Sequence, residues 1–325
     1  MRREIGGYLE LERFSGPVLH GGALALSSGR ACLSWLIRRK DIHRILLPDF
    51  LCDVVARACA DYGVEVRRYR IGPDLRPEAQ NLQPEDGEWL YLVNYYGQLT
   101  QEELRSFAGG TKRTIVDNAQ AYFAEPPEGM DTLYTCRKFL GVADGAFLYT
   151  DMPDDLELPA DESRERMSFV LGRFERPAGE YFAEASENND ILSTEPRRMS
   201  ALTWNLLHAA DYDRIRNTRA ENFRQLHEAL ADLNGLQLRE PEGPYAYPLM
   251  LPNAQALRRR LIEQKIFVPM LWPNVLQEQP EGSTARRLAE DILPLPCDQR
   301  YGAEEMAAVI EAVRTGLREL QEKRI

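Results

Sequence analysis

Lysine is scarce in this chain. Of its 40 basic residues only five are lysine, at positions 40, 112, 138, 265 and 323, and they face 51 acidic residues. The formal charge is therefore −11 and the pI near 5.1. That leaves no general basic face for nucleic acid or an anionic membrane surface, so neither is expected as a partner, although a local pocket for a phosphate is compatible with it. No apolar run approaches the roughly 18–20 residues that span a bilayer. The opening stretch MRREIGGYLELERF lacks the apolar core and small-residue cleavage site of a secretory signal. Cysteine is sparse too. Cys32, Cys52, Cys59, Cys136 and Cys297 form no CxxC pair and do not cluster with the four histidines, so no metal centre and no disulfide framework is expected, and the thiols read as those of a cytoplasmic protein.

What is present is the composition of a packed soluble protein, 44% hydrophobic and 28% charged, with 325 residues for one large or two ordinary domains. The pattern alternates strands and helices. Ser27-Ser28-Gly29-Arg30 precedes an apolar stretch and reads as a helix start. Arg44 to Pro48, Val64 to Tyr69, Trp89 to Val93, Thr114 to Asp117 and Ala146 to Tyr149 read as strands. Between them, Asp53 to Tyr62 and Gln101 to Phe107 read as helices. From Asp151 a charged stretch leads into mainly helical sequence up to about Asn234. The remainder mixes strands (Tyr245 to Leu251, Ile266 to Val268) with helices (Ala254 to Gln264, Ala303 to Glu322). Alternation of this kind predicts an α/β sheet with crossover helices, whose ligand binds beyond the carboxyl ends of the strands.

Four of the lysines have ready solvent-exposed explanations: a charged helix end (Lys40), a polar turn (Lys112), the close of a helix (Lys265) and the tail (Lys323). Lys138 sits in Thr135-Cys136-Arg137-Lys138-Phe139-Leu140-Gly141, between apolar residues. Taken alone, a surface lysine beside Arg137 is the simpler reading. An amine held in partly apolar surroundings is, however, easier to deprotonate, as a Schiff-base amine must be. Asp117, at the end of a short apolar strand about twenty residues earlier, is a turn cap or the partner of a protonated pyridine nitrogen. Gln120 is placed to reach the same ring. Ser28 and Gly29 are an ordinary helix N-cap or, through backbone N–H groups, a phosphate cradle. Thr135 can add a hydroxyl to that phosphate.

The order SSGRA (27–31), LPDFLCDVV (47–55), DNAQA (117–121), then a lysine and a glycine-containing turn, resembles the DegT/DnrJ/StrS family of sugar aminotransferases. RRMSAL (197–202) and LPLP (293–296) fit the same order. The resemblance implies a fold-type I PLP-dependent transferase, aspartate aminotransferase-like, with a large mixed-sheet domain over 1–210 and a smaller C-terminal α/β domain over 211–325. It implies pyridoxal 5′-phosphate (PLP) as cofactor and a homodimer with the active site at the subunit interface. Lys138 would form the Schiff base, Asp117 would pair with the pyridine nitrogen and Gln120 would contact the ring. Ser28, Gly29 and Arg30 would meet the phosphate, mostly through backbone groups. Glutamate would be the amino donor and a nucleotide-linked keto-sugar the acceptor, in polysaccharide biosynthesis.

The sequence also departs from the family pattern. Where the family places an aromatic residue to stack on the cofactor, this chain aligns Cys52 or Phe50. Where an asparagine reaches across the dimer to the phosphate, it has Pro196. Other PLP-dependent sugar chemistry such as dehydration, or a non-catalytic regulatory protein on the same fold, therefore stays open. Arg137, Arg198, Tyr95 and Tyr96 are candidates for the substrate side. The Trp272-Pro273-Asn274 turn is a substrate lip, a core contact or a dimer contact.

Overall fold

A computed structural model describes residues 5–322. Lys323, assigned above to the tail, lies outside them. Seven strands form one sheet: β1 (Leu24–Leu26), β2 (Arg44–Pro48), β3 (Glu65–Tyr69), β4 (Trp89–Val93), β5 (Thr114–Asp117), β6 (Asp131–Thr135) and β7 (Ala146–Tyr149), in the order β1-β7-β6-β5-β4-β2-β3. The strands from β2 to β6 run parallel, while β7 is antiparallel to both β6 and β1. The central strands are apolar on both faces, with Ile45, Leu46, Leu90, Leu92, Ile115 and Val116 all buried, as a sheet covered on both sides requires.

Helices α1 (Gly29–Arg39), α2 (Asp53–Asp61) and α3 (Gln101–Ala108) are the crossovers. Each start has a chemical cause. Ser28 Oγ accepts from the N–H of Ala31 at the head of α1, and Thr100 with Glu103 makes a reciprocal capping box on α3. The expected strands and helices of the first 150 residues are therefore found. Two strands had not been delimited. β1 is three residues long and β6 carries two polar threonines, so neither shows a sustained apolar run.

Beyond β7 the chain forms α4 (Ser168–Gly172), α5 (Phe182–Ile191), α6 (Ala201–Leu207) and the long α7 (Tyr212–Leu230). A second sheet pairs β8 (Tyr247–Met250) with β9 (Ile292–Leu295), antiparallel. Helices α7, α8 (Gln255–Glu263) and α11 (Ala303–Glu322) close a separate core on it around Phe223, Leu226, Leu249, Leu257, Leu293, Met306 and Val313. The expected strand at Ile266 to Val268 does not form. The chain turns at Lys265, which has φ 63°, and leaves Phe267 exposed, while Ile266 and Val268 pack inward without a strand partner among the described residues. The LPLP segment supplies the second strand instead. Two short helices, α9 (Val275–Glu278) and α10 (Thr284–Asp291), return Val275, Ala285 and Leu288 to the core of the large sheet.

Candidate active site

The register of the large sheet sets the site. Val93, Asp117 and Leu133 stand side by side across β4, β5 and β6. Asp117 therefore closes its strand at the carboxyl edge, and Lys138 follows three residues after β6 ends. Residues 136–145 form a tight loop there. Its base is the bond from Cys136 N–H to Gly145 O (3.0 Å). Gly145 has φ 112°, and a Cβ on it would meet Thr203 Cγ2 at 3.0 Å and Cys136 Sγ at 3.2 Å, so no other residue fits the turn. Buried Asp144 accepts from Ser200 N–H (2.8 Å), Ser200 Oγ (2.7 Å) and Thr203 Oγ1, and so pins the loop to the start of α6.

The other side of the loop is held from the C-terminal part of the chain. The carbonyl of Phe139 accepts from Gln299 Nε2 (2.7 Å) and, at 3.4 Å, from the guanidinium of Arg219, which stacks on the Phe139 ring at 4.6 Å. Arg219 is buried, and it also donates to Gln299 Oε1 (2.7 Å), Pro244 O (2.9 Å) and Tyr245 O (3.3 Å). The Tyr245 ring lies 5.6 Å from Lys138 Nζ.

Lys138 is itself exposed, yet protein surrounds it on most sides. Burial pushes its amine below the ordinary lysine range and the charge of Arg137 pushes the same way, while Asp117 and Cys52 oppose them. Asp117 is buried, which raises its carboxyl. The charge of Lys138, the N–H of Ala119 (2.8 Å) and the hydroxyl of Tyr91 (2.9 Å) pull it back. Gln120 is buried, and its Oε1 accepts from Tyr96 N–H (2.8 Å). Its Nε2 has no partner among the described residues, although a buried amide donor ordinarily finds one. At Gly29 the head of α1 lies so close to β6 that a Cβ would meet Thr135 Cγ2 at 3.1 Å.

These features test the fit of PLP. An amine with lowered proton affinity, an acid fixed by two donors, an unpartnered buried amide and an open helix N-terminus beside a glycine suit the aldehyde, ring nitrogen, ring substituents and phosphate of that cofactor. The residues fit the group.

Not every candidate holds its assigned place. Ser28 Oγ is engaged as the cap of α1, which leaves its backbone as the group free for an anion. Thr135 lies beside Gly29, with its hydroxyl 3.5 Å from Ala119 O. Tyr95 and Tyr96 are fully buried, the former donating to Phe50 O, and so do not face a substrate. Arg198 makes a bidentate pair with Asp154 (2.7 Å each) and lines a separate cavity with Trp204. Lys40 is not the free surface lysine expected: it bonds the carboxylate of buried Asp131 at 2.7 Å. Trp272 packs edge-on against Phe50 at 4.6 Å, the core contact among its three readings. Phe50 is thus core, and of the two aligned positions Cys52 is the one near Lys138; the ring beside the amine is that of Tyr245, from the C-terminal part of the chain. Pro196 is buried. A cavity of about 410 Å³ opens behind Ser27, lined by Asp161, Arg166, Arg197 and others, but none of the candidate residues lines it.

Sequence reasoning missed Tyr91, Tyr245 and Arg219. Only Tyr91 carried a signal, as a polar-tipped residue inside an otherwise apolar strand.

No family model and no curated protein matches the chain. Solved structures do. Spr1654 from Streptococcus pneumoniae, in its PLP form, superposes with a TM-score of 0.66 at 12% identity, over 95% of this chain and 93% of that one. The sugar aminotransferase CalS13 from Micromonospora echinospora gives 0.64 at 15%, over 94% and 93%. A DegT DnrJ EryC1 StrS aminotransferase from Brucella abortus gives 0.61 at 16%, over 90% and 86%. The fold is the fold-type I transferase fold expected from the sequence. At these identities the likeness concerns the fold.

Proposed function

We propose that the chain is a PLP-dependent aminotransferase of the DegT/DnrJ/StrS type, aminating a nucleotide-linked keto-sugar with glutamate as donor. The observation that carries this reading is the placement of Lys138. It alone among the described lysines follows a strand at the carboxyl edge of the large sheet, within the field of buried Asp117. The fold shared with the sugar aminotransferase CalS13 supports the substrate class.

Pyridoxal phosphate, when bound, supplies an electron sink that acidifies the Cα–H of an attached amino acid. The residues of this chain do the rest. Asp117, steadied by Tyr91 and Ala119, holds a proton at the ring nitrogen. The Nε2 of Gln120 donates to a ring substituent. Lys138, with its amine made less basic by burial, takes and returns the proton at the reacting carbon. The Arg219 and Gln299 anchors on Phe139 O fix the backbone from which Lys138 projects.

The same reading includes a large unit over 1–210, a small one over 211–325, and a cytoplasmic homodimer. Exposed apolar side chains support the dimer: Leu171, Phe174 and Phe182 around α4 and α5, and Ile5, Tyr8 and Leu9 in the N-terminal arm, stand uncovered. No described helix is long and apolar enough to cross a membrane. Cys52 in place of a stacking ring, and buried Pro196, favour a second reading in which PLP binds without turnover.

The experiment is a visible absorption spectrum of the protein with PLP, read before and after borohydride. Reduction should fix the cofactor to Lys138, and Lys138→Ala should abolish that. Glutamate should then shift the spectrum to that of the pyridoxamine form. Fixation without the shift selects the second reading, and no fixation rejects both.

A further inference from the structure

Two arginines, Arg30 at the head of α1 and Arg137 beside Lys138, converge on one residue with no carboxylate paired to either. Among the described residues, neither Arg30 nor Arg137 makes an ion pair. Both instead donate to one neutral residue: Arg30 Nη2 to the backbone carbonyl of Asn189 and Arg137 Nη1 to its Oδ1 (2.5 Å). Asn189 itself is exposed, near the end of α5. Burial holds Arg137 down to about 10, and the charge of Arg30 is the next cause. Asp190 and Asp53 lie within electrostatic reach of Arg30, and Asp144 within that of Arg137, but none of them pairs with either guanidinium. Like charges held together in a half-buried site cost free energy unless an anion joins them. The nearest backbone groups, the open N–H groups of α1 next to Gly29, attract an anion as well. Arg137 is also the residue before Lys138, which sets that anion within a cofactor's length of the amine.

We infer that Arg30 and Arg137 form a guanidinium clamp for a phosphate dianion at the head of α1, which Asn189 fills with neutral acceptors until the phosphate displaces it. The inference rests on the proposed function, since the phosphate is assigned to the cofactor. A planar guanidinium binds phosphate through paired N–H bonds, and two of them match a dianion in charge and in donor number. This gives the chain, from its own subunit, a phosphate grip that needs neither the Ser28 hydroxyl nor a residue at position 196.

The test compares equilibrium binding of PLP, pyridoxal (which lacks the phosphate) and uridine diphosphate to the full-length chain and its variants. Arg30→Gln and Arg137→Gln should each weaken PLP at least tenfold and leave pyridoxal within twofold, with Arg137→Lys in between. A loss of PLP affinity below twofold, or an equal loss for pyridoxal, overturns the clamp. Loss of uridine diphosphate with PLP intact overturns its assignment to the cofactor. Asn189→Asp keeps both arginines and covers any failure of the glutamine variants to fold. It places a carboxylate on the clamp and should weaken PLP about tenfold while raising the melting temperature of the protein alone. An unchanged PLP affinity in that variant also overturns the clamp. If borohydride fixes nothing to Lys138 in the unaltered protein, the proposed function fails, and inorganic phosphate decides the clamp separately. A melting-temperature rise with phosphate that both glutamine variants lose upholds it, and no rise in the unaltered protein ends it.

Discussion

Replacing Arg219 by methionine should loosen the Lys138 loop from a distance. The side chain is buried and meets four acceptors, of which Gln299 Oε1 at 2.7 Å and Pro244 O at 2.9 Å are close. Methionine keeps the stem and much of the volume, so packing on Phe139 changes little. The carbonyl of Phe139 keeps its bond from Gln299 Nε2. Pro244 O, in contrast, loses its only described close donor, and an orphaned buried acceptor costs about 1–3 kcal/mol. Loss of the bond to Gln299 adds about 1 kcal/mol, and relief from burying a guanidinium, whose proton affinity burial already lowers, offsets part of it. The expected net loss is about 2–3 kcal/mol, or roughly 3–4 °C in melting temperature for a chain of this size. Because the same side chain holds the carbonyl of Tyr245, whose ring lies 5.6 Å from Lys138 Nζ, and that of Phe139, the residue after the lysine, the variant should also trap PLP on Lys138 more slowly under borohydride. Gln299→Ala should interact with it non-additively, since both side chains share the Phe139 carbonyl. A stability loss under 1 kcal/mol, with unchanged trapping, would refute the idea that the small sheet's helices position the lysine.

Three further outcomes are expected. His20 is buried, with Nε2–H donating to Tyr122 O (2.7 Å) and Nδ1 accepting from Tyr149 Oη (3.0 Å), and burial lowers it to about 4. The unfolded chain therefore binds more protons between pH 6.5 and 4, stability falls by ~3 kcal/mol as pH drops through that window, and urea titrations of His20→Phe should lack this slope. Lys138→Met should stabilise the cofactor-free chain, because the lowered folded pKa destabilises the protein fully below that pKa. The gain should shrink as pH rises from there and vanish above the ordinary lysine value of 10.5; a gain independent of pH would contradict the burial argument. Tyr91→Phe removes one of the two donors that hold Asp117, and should weaken PLP binding by roughly tenfold; unchanged affinity would show that the Ala119 N–H suffices.

The fold was largely legible because its signals are local. Apolar runs such as Trp89 to Val93 and Ile115 to Val116 are buried on both faces, and the caps at Ser28 and Thr100 announce their helices. The errors arose where partners decide. Ile266 to Val268 has strand composition, but Lys265 turns the chain away. LPLP carries two prolines, yet it pairs because β9 has a single neighbour in a two-stranded sheet, where Pro294 faces Pro248 and no central ladder is broken.

For the candidate site, the order of Asp117, Gln120 and Lys138 along the chain is enough to bring them to one edge, since strand ends at one edge of a parallel sheet converge whatever lies between them. What surrounds those residues comes from far along the chain and leaves no spacing to read. Tyr245 and Arg219 arrive from the small sheet and α7, and Asn189 from α5. The same limit explains why Tyr95 and Tyr96 looked available: an aromatic pair just past a strand is equally a site wall or a core pair. Only the bonds to Phe50 O and from Tyr96 N–H to Gln120 separate the two. The pair Arg30 and Arg137 shows the converse. Each is unremarkable in a chain whose basic residues are nearly all arginine, and only the lack of an ion pair on either among the described residues, together with one shared neutral acceptor, singles the two out as a candidate anion site.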